Sequence, residues 1–104
     1  MALVFSAHRR RFTPSQWPGV DVCALHDHPY GGGSALFRMR AGAVVSEHDH
    51  PLGEHTYIVS GRARFGTEEV GPGDVLWTQP GERHVVVALT EVEFLGVAPP
   101  EPAR

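Results

Sequence analysis

Glycine and proline punctuate this chain at close intervals, 12 and 9 of them in 104 residues, and the runs between them are short and rich in β-branched and aromatic side chains. That spacing favours an all-β sandwich or barrel, with few helices. Strands are predicted at residues 2–5, 20–26, 35–40, 44–48, 56–60, 63–65, 74–78, 84–89 and 92–97. Turn signals separate them: Gly31-Gly32-Gly33, Ala41-Gly42, Pro51-Leu52-Gly53, Ser60-Gly61, Gly66-Thr67-Glu68, Gly71-Pro72-Gly73 and Pro80-Gly81. The connections are short, so neighbouring strands should pair antiparallel. Residues 14–18 read as an irregular crossing segment. Pro99, Pro100 and Pro102 cannot continue a ladder, so residues 99–104 should form a loose tail after a barrel core of about 20–98.

A chain of this length is one domain's worth, 1–104. No apolar run approaches the roughly 18 residues that span a bilayer, and the N-terminus is too short for a secretory h-region, which places the protein in the cytoplasm with no membrane partner. Cys23, the single cysteine, lies among Val20, Val22, Ala24 and Leu25 and reads as a buried thiol on a strand. A net charge of -3 opposes phosphate attraction and argues against nucleic acid. Arg9, Arg10 and Arg11 form a basic run that reads as solvated surface and, alternatively, as an anion site.

The unusual feature is seven histidines, because imidazole is the commonest protein metal ligand and titrates near neutrality. In an extended strand alternate side chains share a face, so His48 and His50 can both reach one ion. After the turn at Pro51-Leu52-Gly53, Glu54 can return a carboxylate toward that pair. His84 follows the Gln79-to-Glu82 turn, one hairpin away, and antiparallel closure would bring it alongside. An isolated His-x-His pair would more often face solvent. Glu54, His84 and the spaced glycines favour a metal set instead.

The segment Gly42-(five residues)-His48-Asp49-His50-(three residues)-Glu54-(six residues)-Gly61 matches the first cupin motif at each defined position. Gly73, Gly81 and His84 match the Gly, Gly and His positions of the second motif, whereas Gln79 stands at its proline and Ala88 at its asparagine. The chain therefore resembles a small single-domain cupin of the RmlC-like superfamily, over 42–88, nearly half its length. The resemblance implies a double-stranded β-helix, the cupin jelly-roll barrel. It also implies one divalent metal ion held by His48, His50, Glu54 and His84. Three imidazoles and a carboxylate suit Fe(II), Mn(II), Ni(II), Cu(II) or Zn(II), and an octahedral ion would keep about two positions open for substrate or oxygen. A homodimer is expected by the same resemblance, with strand 2–5 contributing an edge.

Other polar residues are weaker candidates. His26-Asp27-His28-Pro29 repeats the local pattern of the first motif without a following glutamate, and reads as a surface loop or a lip over the barrel mouth. His55 and Tyr57 would serve as general base or acid only if they turn inward. Phe37, Tyr57, Phe65, Trp77 and Phe94 should mostly fill the core, and Arg38, Arg40, Arg62 and Arg64 should face outward. The favoured function is a metal-dependent enzyme acting on a small molecule, a dioxygenase first, with isomerase, lyase or decarboxylase chemistry also open. The alternative is a non-catalytic module that senses or binds metal or a small ligand.

Overall fold

The computed structural model describes residues 1–101 and is built almost wholly from antiparallel strands, ten of them among the described residues. One sheet runs in the order β1 (Thr13–Pro14), β2 (Val20–Asp27), β3 (Gly33–Met39), β10 (Val92–Ala98), β5 (Glu54–Ser60), β8 (Val75–Thr78). The other runs β4 (Val44–His48), β9 (His84–Ala88), β6 (Ala63–Phe65), β7 (Glu68–Val70). Two sheets with this jelly-roll connectivity confirm the all-β cupin fold that the turn spacing and motifs predict.

Strand alternation assigns the core. On the larger sheet Val20, Met39 and Val92 lie in register, as do Phe37, Phe94 and Ile58. On the smaller sheet Val45, Val86 and Phe65 form one row and Ala63 and Ala88 another. The two inner faces pack on each other to bury Val20, Met39, Val45, Ile58, Phe65, Val86 and Val92. Burial of this apolar surface is the main favourable term holding the sheets together.

Several expectations need correction. Residues 2–5 do not form a strand; they run without a ladder into a short 3-10 turn at Ala7–Arg9, and Leu3 and Val4 stay exposed. The edge strand is supplied by Thr13–Pro14, which overlaps the start of the segment expected to be irregular, because Pro14 lacks an N–H and so suits the outermost position. Glu68–Val70 (β7), of which only Glu68 falls in an expected turn and which is not among the expected strands, pairs with β6. Tyr57 and Trp77 point outward and are 42% and 48% exposed, since Thr56 and Ile58 take the inward positions of β5 and Leu76 and Thr78 those of β8. The proline-rich end is not wholly loose, as the Glu101 N–H donates to the Gly31 carbonyl at 3.2 Å; residues 102–104 lie outside the described residues. As expected, Cys23 is buried and Arg38, Arg40, Arg62 and Arg64 are exposed. Among the described residues no helix is long and apolar enough to cross a membrane.

Candidate metal centre

A β-bulge decides where the first ligand candidate points. Val45 pairs with Val86, yet His48 pairs with His84, so three steps along β4 match two along β9. The extra residue reverses the parity of the strand and turns His48 onto the same inner side as Val45, where simple alternation from Val45 would have turned it out. The bulge is tied down by Ser46, whose hydroxyl accepts from the Trp17 indole N–H at 2.9 Å and whose carbonyl lies 2.9 Å from His48 Nδ1.

His50 comes in by a different route from the one expected. Strand β4 ends at His48, so His50 is not placed by alternation but by a loop. Its carbonyl accepts from both the Gly53 and Gly81 N–H groups at 3.0 Å, and its Nδ1 donates to the Glu82 carbonyl at 3.0 Å. The loop carrying the first motif is thereby stitched to the turn that precedes His84. His84 Nδ1 lies 3.6 Å from the Glu82 carboxylate. Each imidazole thus has an oxygen partner at Nδ1, which leaves Nε2 as the coordinating nitrogen, the arrangement that outer partners impose on metal-bound histidines.

The three rings and Glu54 line one cavity of about 360 Å³ between the sheets. Ring centroids are 4.3 Å apart for His48 and His50, 4.8 Å for His50 and His84, and 6.1 Å for His48 and His84. Imidazoles bound at right angles to one ion, with nitrogens about 2.1 Å from it, hold their centroids about 4.5 Å apart. His50 meets that spacing with both neighbours; the His48–His84 pair is wider than a right angle gives. As the side chains stand, no group of three or more His, Cys, Asp or Glu among the described residues is set closely enough to hold a metal ion.

The donor chemistry fits a cation. His50 Nε2 and Glu54 Oε2 face each other at 3.5 Å. With the His50 proton committed to Glu82, both offer lone pairs, and a buried acceptor in contact with a half-buried one is favourable only with a proton or a cation shared between them. Glu54 lies across Gly96 of β10, where an added Cβ would stand 2.5 Å from Glu54 Oε1. That strand glycine leaves room for the carboxylate.

Burial raises the Glu54 carboxyl above its usual range, with His50 and then His48 pulling it back down. Burial and His50 lower His84 below the ordinary imidazole value, against an upward pull from Glu82. The folded chain therefore holds the Glu54 proton more tightly than the unfolded chain does. This stability is fully present below the ordinary carboxylate pKa and is lost as pH rises through the raised value. His84 works the other way: its contribution is present above its ordinary pKa and is lost as pH falls through the depressed one. In metal-free protein, Glu54→Gln is expected to be more stable than the parent at pH 7, with the difference shrinking toward pH 4. Urea midpoints at the two pH values measure it, and equal midpoints at pH 7 would show that the buried charge carries no penalty.

Among the weaker candidates, His55 packs its ring 4.6 Å from Trp77 on the outer face, and neither His55 nor Tyr57 lines the cavity. Strand parity turns both outward, so the condition for an acid–base role, an inward-facing side chain, is not met. His26 and His28 contact each other at 4.9 Å, also off the cavity, although Gly32 of the following turn reaches its wall. Arg10 shares Glu93 with Arg38, at 3.9 and 3.0 Å. The sequence reading missed Ser46, Glu82, Trp17 and Gly96. Only Gly96, a bare residue inside an apolar strand, left a local signal.

Comparison with known proteins agrees with this architecture. An (R)-mandelonitrile lyase of Granulicella tundricola is 40% identical over 58 residues, 51% of this chain and 43% of that protein, so the chain spans less than half the length of that relative. The polyketide cyclase RemF of Streptomyces resistomycificus superposes with a TM-score of 0.83 at 23% identity, covering 97% of this chain and 81% of its own. An acetylacetone dioxygenase of Acinetobacter johnsonii gives 0.78 at 16% identity, covering 94% and 73%. These two structures establish likeness of fold. The family described as the ChrR cupin-like domain matches residues 1–99, and the chain belongs to it.

Proposed function

We propose that the protein is a cytoplasmic, metal-dependent enzyme acting on a small molecule, with His48, His50, Glu54 and His84 holding one divalent ion. The observation that carries this reading is the facing pair of acceptors, His50 Nε2 and Glu54 Oε2, in a pocket shared with two further imidazoles whose Nδ1 atoms are engaged elsewhere. The bound ion, Fe(II), Mn(II), Ni(II), Cu(II) or Zn(II), would supply Lewis acidity toward an oxygen-bearing substrate or a site for dioxygen. The protein's own part is to orient and desolvate. Nδ1 contacts to Ser46 and Glu82 fix the ring planes, and the walls from Phe37, Phe65 and Phe94 exclude water from the reacting group.

Dioxygenase chemistry is the first choice, because a histidine-rich site with one carboxylate and open positions suits Fe(II). Lyase chemistry is second, favoured by the 40% identity to the Granulicella enzyme over the shared segment. A homodimer fits the exposed apolar strip of Tyr57, Val75 and Trp77 on the outer sheet face. The test is elemental analysis of protein purified without added metal, followed by oxygen-electrode assays of the Fe(II)-loaded chain with catechols, β-diketones and thiols. One ion per chain and substrate-dependent oxygen uptake are expected. Absence of stoichiometric metal would remove the reading, and turnover without oxygen uptake would move it to the lyase class.

A further inference from the structure

The metal reading leaves the substrate open, and the cavity walls narrow it. All nine basic residues of the chain are arginines. None lines the cavity among the described residues: Arg38, Arg40, Arg62 and Arg64 stand on outer faces, and Arg83 reaches Glu47 at 3.6 Å outside. The cavity's ionisable groups are three imidazoles, Glu54 and Asp49, and they are gathered together. Away from them the walls are Phe37, Val45, Phe65, Val86 and Phe94, with the Thr56 hydroxyl as the one polar side chain besides Trp17. The Trp17 N–H is already engaged by Ser46 Oγ.

We infer that the centre takes a small molecule with one oxygen-bearing anchor and an apolar, ring-sized body, and rejects polyols, dicarboxylates and phosphates. This rests on the metal reading for the anchor, and on the walls alone for the body. A volume of about 360 Å³ is roughly twice what holds a benzene ring, enough for one substituted or two fused rings. The ion and the histidines can meet one polar group. A second anionic group would be desolvated with no cation facing it and with Glu54 nearby, and each further hydroxyl would lose its water partners for a single threonine. Aromatic walls reward a flat apolar body instead.

The experiment titrates the full chain, metal-free and Mn(II)-loaded, with acetophenone, 4-acetylbenzoate, malonate and glucose by calorimetry. NMR line broadening of acetophenone by Mn(II) then places the probe beside the ion. Acetophenone should bind at least about tenfold more tightly than each of the other three in both forms, because each lost polar partner costs about that factor. Broadening should be strongest at its methyl ketone. If 4-acetylbenzoate, malonate or glucose binds as tightly in loaded protein, the substrate class is wrong although the metal site stands. If Mn(II) is not taken up while the preference for acetophenone persists in the metal-free chain, the metal reading fails and the class of apolar body stands. No acetophenone binding at millimolar concentration in either form overturns the inference.

Discussion

His84→Ala is expected to lower the affinity for a divalent ion by at least about a hundredfold while leaving the fold intact. Metal-binding free energies of about 10–16 kcal/mol for four-ligand sites put each ligand at roughly 3 kcal/mol, which corresponds to about that factor. His84 opens β9 at the cavity wall, and the core residues Val86 and Ala88 on the same strand face are untouched by the change. His50→Ala should match it in metal affinity and cost more stability, because His50 is 8% exposed and its ring ties the first loop to Glu82. Glu82→Ala keeps all four donors and removes only the carboxylate near His84 Nδ1, so about a tenfold loss is expected. Competition titration against a chromophoric chelator measures all three, with circular dichroism as the check on folding. Equal affinities in parent and His84→Ala would show that the ion, if bound, sits elsewhere.

The largest stability effect expected from one added methyl group is at Gly61, in the turn between β5 and β6. Its φ is +80°, and a Cβ there would fall 1.9 Å from the Glu91 carbonyl oxygen and 2.7 Å from Val92 Cα. Both obstacles are backbone at the start of β10, the strand that pairs with β3 and β5 at once. Relief requires moving a central strand, since no flexible side chain can give way. Gly61→Ala is therefore expected to destabilise by about 3–4 kcal/mol, which combines positive-φ strain with displaced packing. For a domain of this size that is a melting-temperature fall of roughly 15–25 °C. Gly73 provides the internal control. Its φ is +87° but nothing lies within 4 Å of an added Cβ, so Gly73→Ala should cost only about 1 kcal/mol. Equal losses in the two variants would mean that strain alone, and not the approach of β10, makes Gly61 necessary.

The contrast between the two glycines also marks how far local information reaches. That each sits in a turn was legible from glycine spacing, and so was the all-β jelly roll, because alternation and glycine punctuation are properties of a few adjacent residues. That His48, His50, Glu54 and His84 gather at one cavity was legible through motif spacing. Their orientation was not. His48 faces inward only because β4 gains a residue against β9, and His50 is held by a carbonyl 32 residues away. Strand 2–5 failed for the same reason, since an apolar run becomes a strand only where a partner edge is free to hydrogen-bond it. His55 and Tyr57, candidates only if they faced inward, are turned out by the parity that places Thr56 and Ile58 inside.

What the linear order of residues settles here is which polar side chains are available to the cavity and where the chain turns. Whether those side chains meet, which ring nitrogen is free, and that an uncharged aromatic wall surrounds them were decided by the pairing of two sheets. Long-range hydrogen bonding sets strand register, and a shift of one residue moves a side chain to the opposite face.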